Sequence, residues 1–419
     1  MTQLHHAIKQ RRASFALSVI LMGAACLSLS CGGKTTTSAL PGTVPGQGLP
    51  IPPVAGPANA YVGKQTSSPS HVDPSLWTVS IDHNTSKFTY GNGTIAQTGG
   101  FVPLNGFLLM QDQNGYQKGL ALEVPGRMAI LRPGDSTTAP VFAVQQTECF
   151  PVVGNVKFQF ALSPGSPTGG QSAFGRIYAR TGSDLSSWNF DGQAQYQGPN
   201  GRSVPANAYI PSYPSSYSGK CAAASNAAAV TVSATAEYSI PTHYLINEAG
   251  YFLETQSYTD DPVFSQYGDV AAWGVVEPLM PLKTSTVASA SYLGFLFEAN
   301  NGVYLTRPVG FGGLKTSGSV MSGGAFLNEN PINPPGVEMT LNFGAQDALN
   351  NGLYYTAKLT LPMTAGASCT SPGTDSSGNL TCTYNAVATV GNPEERFVIF
   401  LTAFDGSGHQ KILVLVQQL

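Results

Sequence analysis

The sequence predicts an all-β fold, with antiparallel strands in two barrel-like or sandwich-like domains. Three observations predict it: beyond residue 60, apolar and polar residues alternate with a period of two, turn-forming pairs recur between these stretches, and helical periodicity is nearly absent. The 47 glycines and 30 prolines suit a fold with many turns better than a helical bundle. Because strands recur about every 8 to 15 residues, a β-propeller is the alternative.

The composition excludes two broad classes of protein. The chain has 419 residues with a formal net charge of −3 at pH 7, and only 10% of its residues are charged, so it lacks the basic surface of a nucleic-acid-binding protein. Hydrophobic residues make up 42% of the chain, which excludes disorder throughout. At this length one hydrophobic core rarely suffices, so we expect two domains, with one large β domain as the competing interpretation.

The first thirty residues have the organisation of an export signal. Basic residues without any acidic one precede an apolar or small-residue run, residues 13–30, that is too short to span a membrane comfortably. The run ends at Cys31, and residues 32–59 are rich in Thr, Pro and Gly with almost no charge. This arrangement resembles the signal peptide of bacterial lipoproteins.

The resemblance implies that residues 1–30 are removed and that Cys31 is lipidated. Small Ser30 fits the cleavage site. Cys26 is a second candidate, and an ordinary cleaved signal peptide is the alternative. Residues 31–59 would then be a flexible tether with a span of about 30 Å. The protein would be exported to the cell envelope and held on a membrane by its lipid, on the outer membrane where the cell has two.

Strand and turn signals alternate through the body of the chain. Residues 77–82 alternate apolar with polar side chains, residues 83–86 form a turn, and Phe88 and Tyr90 resume the apolar face, which predicts a hairpin. Pairs typical of tight turns occur at Asn114-Gly115, Pro125-Gly126, Asn301-Gly302 and Asn351-Gly352.

The C-terminal part is predicted to contain the most strongly patterned strands. An apolar residue stands at every second position at Leu353, Tyr355, Ala357, Leu359 and Leu361. The last two stretches, residues 397–404 and 411–416, are apolar at nearly every position, so both of their faces should be covered. The alanine-rich window 222–230 is too short for a helix and lacks a capping pattern.

Four segments follow from these patterns: a signal peptide (1–30), a tether (31–59), a first β domain (60–235) and a second β domain (236–419). The boundary between the two β domains follows residues 205–226, the least strand-like stretch of the body. A faint echo between residues 106–126 and 294–310 would mark a duplicated unit if it reflects repetition.

Four cysteines remain in the body, and an even number in an exported chain favours two disulfides. Cys369 and Cys382 bracket a stretch of turn-forming residues, so a bridge that closes a hairpin is the expected pairing. Cys149 and Cys221 are left to pair with each other. A zinc site is disfavoured because no C-x-x-C pair is present.

No motif with a known catalytic mechanism is found, and no cofactor or metal is expected. His83 beside Asp82 is the only hint of a histidine–carboxylate arrangement, and an exposed turn residue is its simpler interpretation. For a glycosidase-like carboxylate pair, Glu123 and Glu254 are the first to inspect because both lie within strand-like runs, although a strand carboxylate on a solvated face is the simpler interpretation. Asp260-Asp261 is the best calcium fragment, without a complete ligand motif.

Aromatic residues give the remaining functional lead. Tyr209, Tyr213 and Tyr217 recur every four residues in a Pro- and Ser-rich stretch, and Trp188 precedes them. Aromatic rings on a β scaffold are a common way to bind sugars, although such rings also cover barrel ends. The sequence therefore favours an envelope-anchored binding or structural module, with a glycan or other surface polymer as partner. An extracellular polysaccharide hydrolase is the alternative.

Overall fold

The computed structural model describes much of the chain beyond residue 58. The described residues are 59–65, 76–92, 95–145, 156–163, 172–181, 187–197, 217–224, 227–232, 242–246, 250–257, 269–300, 303–312, 318–327, 338–348, 350–363, 369, 371–375, 377–404 and 410–418. The signal peptide, Cys31 and the tether lie outside them.

The first eight strands form a closed antiparallel barrel in which each strand pairs with the next. Pairing of the first strand with the eighth closes the ring. The strands are β1 (Asn59–Gln65), β2 (Trp77–Asp82), β3 (Lys87–Gly91), β4 (Ala96–Leu104), β5 (Phe107–Gln111), β6 (Gln117–Val124), β7 (Met128–Pro133) and β8 (Val141–Gln145).

The next eight strands form a second closed antiparallel barrel with the same order of neighbours. Its first and last strands pair with each other. The strands are β9 (Val156–Ser163), β10 (Ser172–Thr181), β11 (Ser187–Gln197), β12 (Tyr217–Ala224), β13 (Ala227–Val232), β14 (Thr242–Ile246), β15 (Tyr251–Ser257) and β16 (Asp269–Val276).

The last strands form a nine-stranded sheet that also closes on itself. The strands are β17 (Tyr292–Asn300), β18 (Val303–Phe311), β19 (Val320–Phe326), β20 (Met339–Asn342), β21 (Leu353–Pro362), β22 (Pro372–Thr374), β23 (Leu380–Gly391), β24 (Val398–Phe404) and β25 (Gln410–Gln417). Because β21 pairs with β23 and β17 pairs with β25, eight of these strands complete a third barrel. The short exposed β22 is added beside β23.

The predicted fold class is confirmed, because the chain folds into closed antiparallel barrels, and the β-propeller is not supported. The sequence predicted two β domains, and the structure contains a third barrel in addition to two. The predicted domain boundary at residue 236 falls between β13 and β14, which pair inside the second barrel, so it coincides with no barrel boundary. Residues 205–226, predicted to be the least strand-like stretch of the body, contain β12, which pairs with both β11 and β13 inside the second barrel.

The sequence echo does not relate equivalent strands. Residues 106–126 cover β5 and β6 of the first barrel, whereas residues 294–310 cover the first two strands of the third. The residues that the two stretches share are therefore explained by hairpin formation, which places a turn-forming residue pair between two apolar strands. The alanine-rich window lies in β12 and β13, where Ala222 pairs with Ala229, so it is a hairpin as its lack of helical capping suggested.

The inner face of the first barrel is a closed apolar core. Strict alternation sends one set of side chains inward, where they are buried against one another. Trp77, Val79 and Ile81 of β2 and Phe88 and Tyr90 of β3 belong to this set, so the predicted hairpin is confirmed. The other members are Tyr61, Phe101, Met110, Ala121, Ala129, Leu131, Val141 and Ala143.

A second hydrophobic core lies between the barrels and is built from their outer faces. Phe142 of β8 is fully buried there, with its ring stacked on Trp273 of β16 at 5.2 Å between centroids and edge-on to Phe400 of β24 at 5.7 Å. Phe107 of β5 meets Phe295 of β17 edge-on at 5.2 Å. All three barrels thus contribute to one shared core.

The strands of the C-terminal hairpin are buried on both faces, as their apolar composition predicted. Val398 and Phe400 of β24 belong to the shared core, whereas Ile399 and Leu401 face the interior of the third barrel. The same division holds along β25 for Ile412, Val414 and Val416 against Leu413 and Leu415. Burial on both faces explains why nearly every position is apolar.

The alternation predicted for β21 is broken by a bulge. The pairing of β21 with β23 shifts register between Tyr354 and Ala357. Tyr354 consequently lies in the interior cluster with Ala357, Leu359 and Leu361, while Leu353 and Tyr355 belong to a separate small cluster. A bulge adds one residue to one strand, which reverses the facing of every residue before it.

One α-helix, α1 (Thr284–Ala288), is present in the described part of the chain. Its Val287 and Ala288 are buried in the interior cluster of the third barrel, and the Tyr292 hydroxyl donates a hydrogen bond to the Val287 carbonyl at 2.7 Å. The helix therefore covers one end of that barrel. None of the helices among the described residues has the length and hydrophobicity needed to cross a bilayer.

The predicted disulfide between Cys369 and Cys382 is present, with 5.9 Å between the two Cα atoms. Cys382 lies on β23 and is fully buried in the interior of the third barrel. Of the second predicted pair, Cys221 lies on β12 and Cys149 is outside the described residues, so that bridge stays a prediction.

Replacing Phe142 by Ala should destabilise the protein by about 3 to 5 kcal/mol, because it opens a cavity where the three barrels meet. Chemical denaturation would measure the change in the free energy of unfolding. Tyr116→Ala is the matched control, since this ring is 69% exposed and its loss should change stability by less than about 0.5 kcal/mol. Equal effects of the two substitutions would contradict the shared core.

Candidate functional site

A buried carboxylate near one end of the first barrel is the best-defined polar site. Glu123 of β6 lies between Leu122 and Val124, which face the shared core, so the alternation puts it on the inner face. Its neighbours form what we call the Glu123 cluster, namely Glu123, Asn59, Tyr61 and His83. Glu123 is 3% exposed in its side chain and His83 is 11% exposed.

Three donors hold the Glu123 carboxylate. The Asn59 amide donates to Oε1 at 3.0 Å, and the Tyr61 hydroxyl donates to the same oxygen. His83 Nε2 lies 2.5 Å from Oε2. The Tyr61 hydroxyl in turn accepts a hydrogen bond from the Gly126 amide at 3.0 Å, so the turn between β6 and β7 fixes the phenol. A buried carboxylate needs such partners, because desolvation without them is costly.

The cluster shifts the pKa values of its titratable members. The hydrogen bond to Glu123 raises the pKa of His83 above its ordinary value, and this effect outweighs burial, which acts in the opposite direction. The charges of Glu123 and Asp82 also raise it. Burial and then the Glu123 carboxylate raise the pKa of Tyr61 well above its usual range. The raised pKa therefore favours the protonated form of His83 at mildly acidic pH.

His83 beside Asp82 was a hint of a histidine–carboxylate arrangement, with an exposed turn residue as the simpler interpretation. The structure shows neither, because the His83 side chain is 11% exposed and contacts the Glu123 carboxylate. The Asp82 carboxylate accepts hydrogen bonds from the Thr85 hydroxyl at 2.7 Å and from the Asn84 amide at 2.9 Å, so it stabilises its own turn. The Thr85 hydroxyl is the main reason that the pKa of Asp82 is lowered. His83 instead turns toward Glu123 and packs edge-on against Phe101 at 5.4 Å.

The third barrel has a charged group of its own, the Glu298 cluster, consisting of Glu298, Arg307 and Lys411. Glu298 of β17 accepts hydrogen bonds from the Arg307 guanidinium and from Lys411 Nζ, the latter at 2.9 Å. Burial raises the pKa of Glu298, but the charges of Lys411 and Arg307 outweigh it, so the net shift is downward. The guanidinium lies over the Phe326 ring at 3.6 Å, and Lys411 Nζ lies 4.7 Å from the Tyr384 ring centre.

The two carboxylates singled out for inspection lie in different barrels. Glu123 is on β6 of the first barrel, and Glu254 is on β15 of the second, where it pairs with Tyr244 and Ala272. A carboxylate pair for glycoside hydrolysis needs both groups at one substrate bond, about 5 to 9.5 Å apart. A pair formed by Glu123 and Glu254 would have to act between two barrels, so the carboxylate pair stays a hypothesis.

The predicted aromatic surface is described only in part. Trp188 on β11 pairs with Gly219, and Tyr217 on β12 pairs with Phe190. Tyr209 and Tyr213 lie outside the described residues, as does Asp260-Asp261. Glycan binding by this stretch stays a prediction. No group of His, Cys, Asp or Glu side chains in the described ranges is placed to hold a metal ion.

Sequence reasoning missed Asn59, Tyr61, Arg307 and Lys411 as site residues. Each lies on a strand other than that of the glutamate it contacts, and the separation along the chain reaches 64 residues for Asn59–Glu123 and 113 for Lys411–Glu298. The glutamate itself was the sequence signal that could have pointed to them. A charged residue at an inward-facing position of an otherwise apolar strand needs polar partners when it is buried.

Replacing His83 by Gln should reduce stability in a pH-dependent way. Since Glu123 raises the pKa of His83 in the folded protein, the stability from the charged pair is fully present below the ordinary histidine pKa of about 6.5 and is lost as the pH rises through the raised value. Urea denaturation from about pH 6 to about pH 9 should therefore show the gap between wild type and H83Q narrowing as the pH rises.

The control for this prediction is the same substitution in a Glu123→Gln background. In E123Q, His83 has lost its carboxylate partner. The difference in the free energy of unfolding between E123Q and the E123Q/H83Q double variant should therefore not decrease as the pH rises. A gap that stays constant or widens with rising pH in the presence of Glu123 would contradict the proposed charge pair.

Comparisons with known proteins give no family for the chain. No protein-family model matches it, and no curated protein matches it. A solved structure of a protein of unknown function from the DUF3598 family of Nostoc punctiforme aligns with 64% of this chain and 96% of its own, at 8% sequence identity and a TM-score of 0.22. A likeness at that level carries no argument about function.

Proposed function

We propose that the protein is an exported lipoprotein of the bacterial cell envelope, whose barrels form a binding or structural module. The observation that carries the proposal is the order of its parts. A basic and apolar leader ends at Cys31, a tether whose one charged residue is Lys34 follows it, and the body beyond the tether consists of strands. This order resembles a lipoprotein, in which a lipid holds a folded domain at a membrane surface.

The geometry of the barrels supports a binding or structural role over a catalytic one. Both Glu123 oxygens are occupied by donors from the protein itself, and the carboxylate is nearly inaccessible. Glu298 is likewise engaged by Arg307 and Lys411. A general acid or nucleophile must reach its substrate within hydrogen-bond distance, and neither group is free to do so.

The shared core supports the same proposal. Because the outer faces of the three barrels bury Phe142, Trp273 and Phe400 against one another, the barrels present a preorganised surface. Binding modules gain affinity from such preorganisation, since little conformational freedom is lost when the partner binds.

Cys31→Ser should abolish lipidation and release the protein from membranes. A bacterium expressing the chain would be fed an alkyne-tagged palmitate, and the label and the membrane-bound fraction would be measured. Cys26→Ser is the matched control and should leave both unchanged, because the resemblance places the lipid on the cysteine that precedes the tether. Label retained in C31S, or lost in C26S alone, would contradict the proposed anchor.

A further inference from the structure

The two most exposed large apolar side chains of the described residues are neighbours in sequence. Leu279 is 96% exposed and Met280 is 73% exposed, and both lie in the segment that joins β16 to α1. Single exposed apolar residues are common on proteins and need no explanation. Two adjacent ones require a reason, because leaving both in water forgoes the free energy of burying them. We call this pair the Leu279 tip.

Hydrogen bonds fix the segment on both sides of the Leu279 tip. The Asn351 side-chain amide donates to the Pro278 carbonyl at 2.9 Å, and the Leu282 backbone amide donates to the Gln346 side-chain oxygen at 3.1 Å. Leu282 also packs against the interior cluster of the third barrel. The fold therefore covers one apolar side chain of this segment and leaves the tip outside.

The charge around the Leu279 tip suits a surface of anionic phospholipids. Residues 278–291 contain no acidic residue, and Lys283 among them is exposed. Apolar side chains at a protein surface can enter the acyl region of a bilayer, and a neighbouring lysine is attracted to anionic headgroups. The segment offers both kinds of contact within five residues of one another.

The predicted tether reaches the body at one end of the first barrel, which we call the tether end. Asn59 begins β1 and pairs with Ile81 near the end of β2. Because successive strands of this barrel are antiparallel, the turns that follow β4 and β6 lie at the tether end as well. The turn that follows β5 lies at the opposite end.

Two contacts bring the tether end of the first barrel to one particular end of the third. In the turn after β4, Gly106 lies against the Leu293 side chain near the start of β17. In the turn after β6, Arg127 pairs with Glu394, just before β24, at 2.7 Å. The starts of β17 and β24 both lie beside the end of β25, so they mark the same end of the third barrel.

The Leu279 tip belongs to that end of the third barrel. Helix α1, which follows the tip, covers this end through the Tyr292 hydrogen bond at the start of β17. Asn351, which holds Pro278, stands just before β21, and the start of β21 pairs with the last residues of β23 beside β24. The tip and the tether therefore lie on the same side of the body.

We propose that the Leu279 tip docks on the lipid surface to which the tether is anchored, with its two side chains in the acyl region and Lys283 among the phosphate groups. The inference rests on the envelope function proposed above, because anchoring brings the body to a membrane. Two apolar side chains bind a bilayer weakly by themselves. A body held within about 30 Å of the surface by its tether nevertheless meets that surface at a high effective concentration.

Quenching by brominated lipids tests the docking. The full chain with an N-terminal histidine tag would be held on vesicles of phosphatidylcholine, phosphatidylglycerol and a nickel-chelating lipid, which attaches the N-terminus whether or not Cys31 is lipidated. The emission that Leu279→Trp adds to that of wild type should shift to the blue and lose intensity when the acyl chains carry bromine. Tyr116→Trp is the matched control, because Tyr116 is exposed in the turn after β5, and its added emission should not change.

A second measurement uses the native side chains, since Trp itself favours membrane interfaces. A phospholipid with a photoactivatable diazirine in its acyl chain should label the wild-type peptide that contains residues 278–283. The double variant L279S/M280S should reduce that label about tenfold, because serine does not enter the acyl region.

Three results would overturn the proposal: equal quenching of L279W and Y116W, no lipid label on residues 278–283 of wild type, or a blue shift of L279W that needs no vesicles and grows with protein concentration. The last result would indicate that a second copy of the chain covers the tip. Failure of the Cys31 labelling experiment would contradict the lipid anchor and leave these readouts unchanged.

Discussion

The burial of strand residues on both faces is the constraint on which the rest of the structure depends. A strand in an isolated barrel buries one face and exposes the other to water. Here β7, β8, β24 and β25 bury both, because the outward side chains enter a core shared with neighbouring barrels. Phe142 lies at the centre of that arrangement, in contact with rings from the second and third barrels.

Polar contacts fix the first barrel relative to the third where the apolar surface ends. The Thr306 amide and hydroxyl donate to the Ser136 and Thr138 carbonyls, both at 2.7 Å. Arg127 makes a bidentate pair with Glu394, with two contacts of 2.7 Å. Such directional contacts add geometric specificity to a hydrophobic interface that is itself non-directional.

Much of the fold could be predicted from local pattern, whereas ring closure could not. The alternation in β2 and β3 and the two-sided apolar pattern of β24 and β25 are visible in a few residues each. Closure requires β17 to pair with β25, more than a hundred residues later, and no local pattern encodes that partner. Tyr354 shows the same limit on a smaller scale, because a bulge reversed its facing.

The candidate sites show the same limit of local sequence patterns. Glu123 could be singled out because it lies within a strand-like run, but Tyr61 and Lys411 reach their glutamates from strands distant in sequence.

Native-state hydrogen exchange in increasing denaturant tests the shared core most directly. If the barrels fold around it, amides of β7 and β8 and amides of β24 and β25 should converge on a single unfolding free energy with the same denaturant dependence. Two separate isotherms, with the first barrel exchanging fully while the third stays protected, would contradict the account.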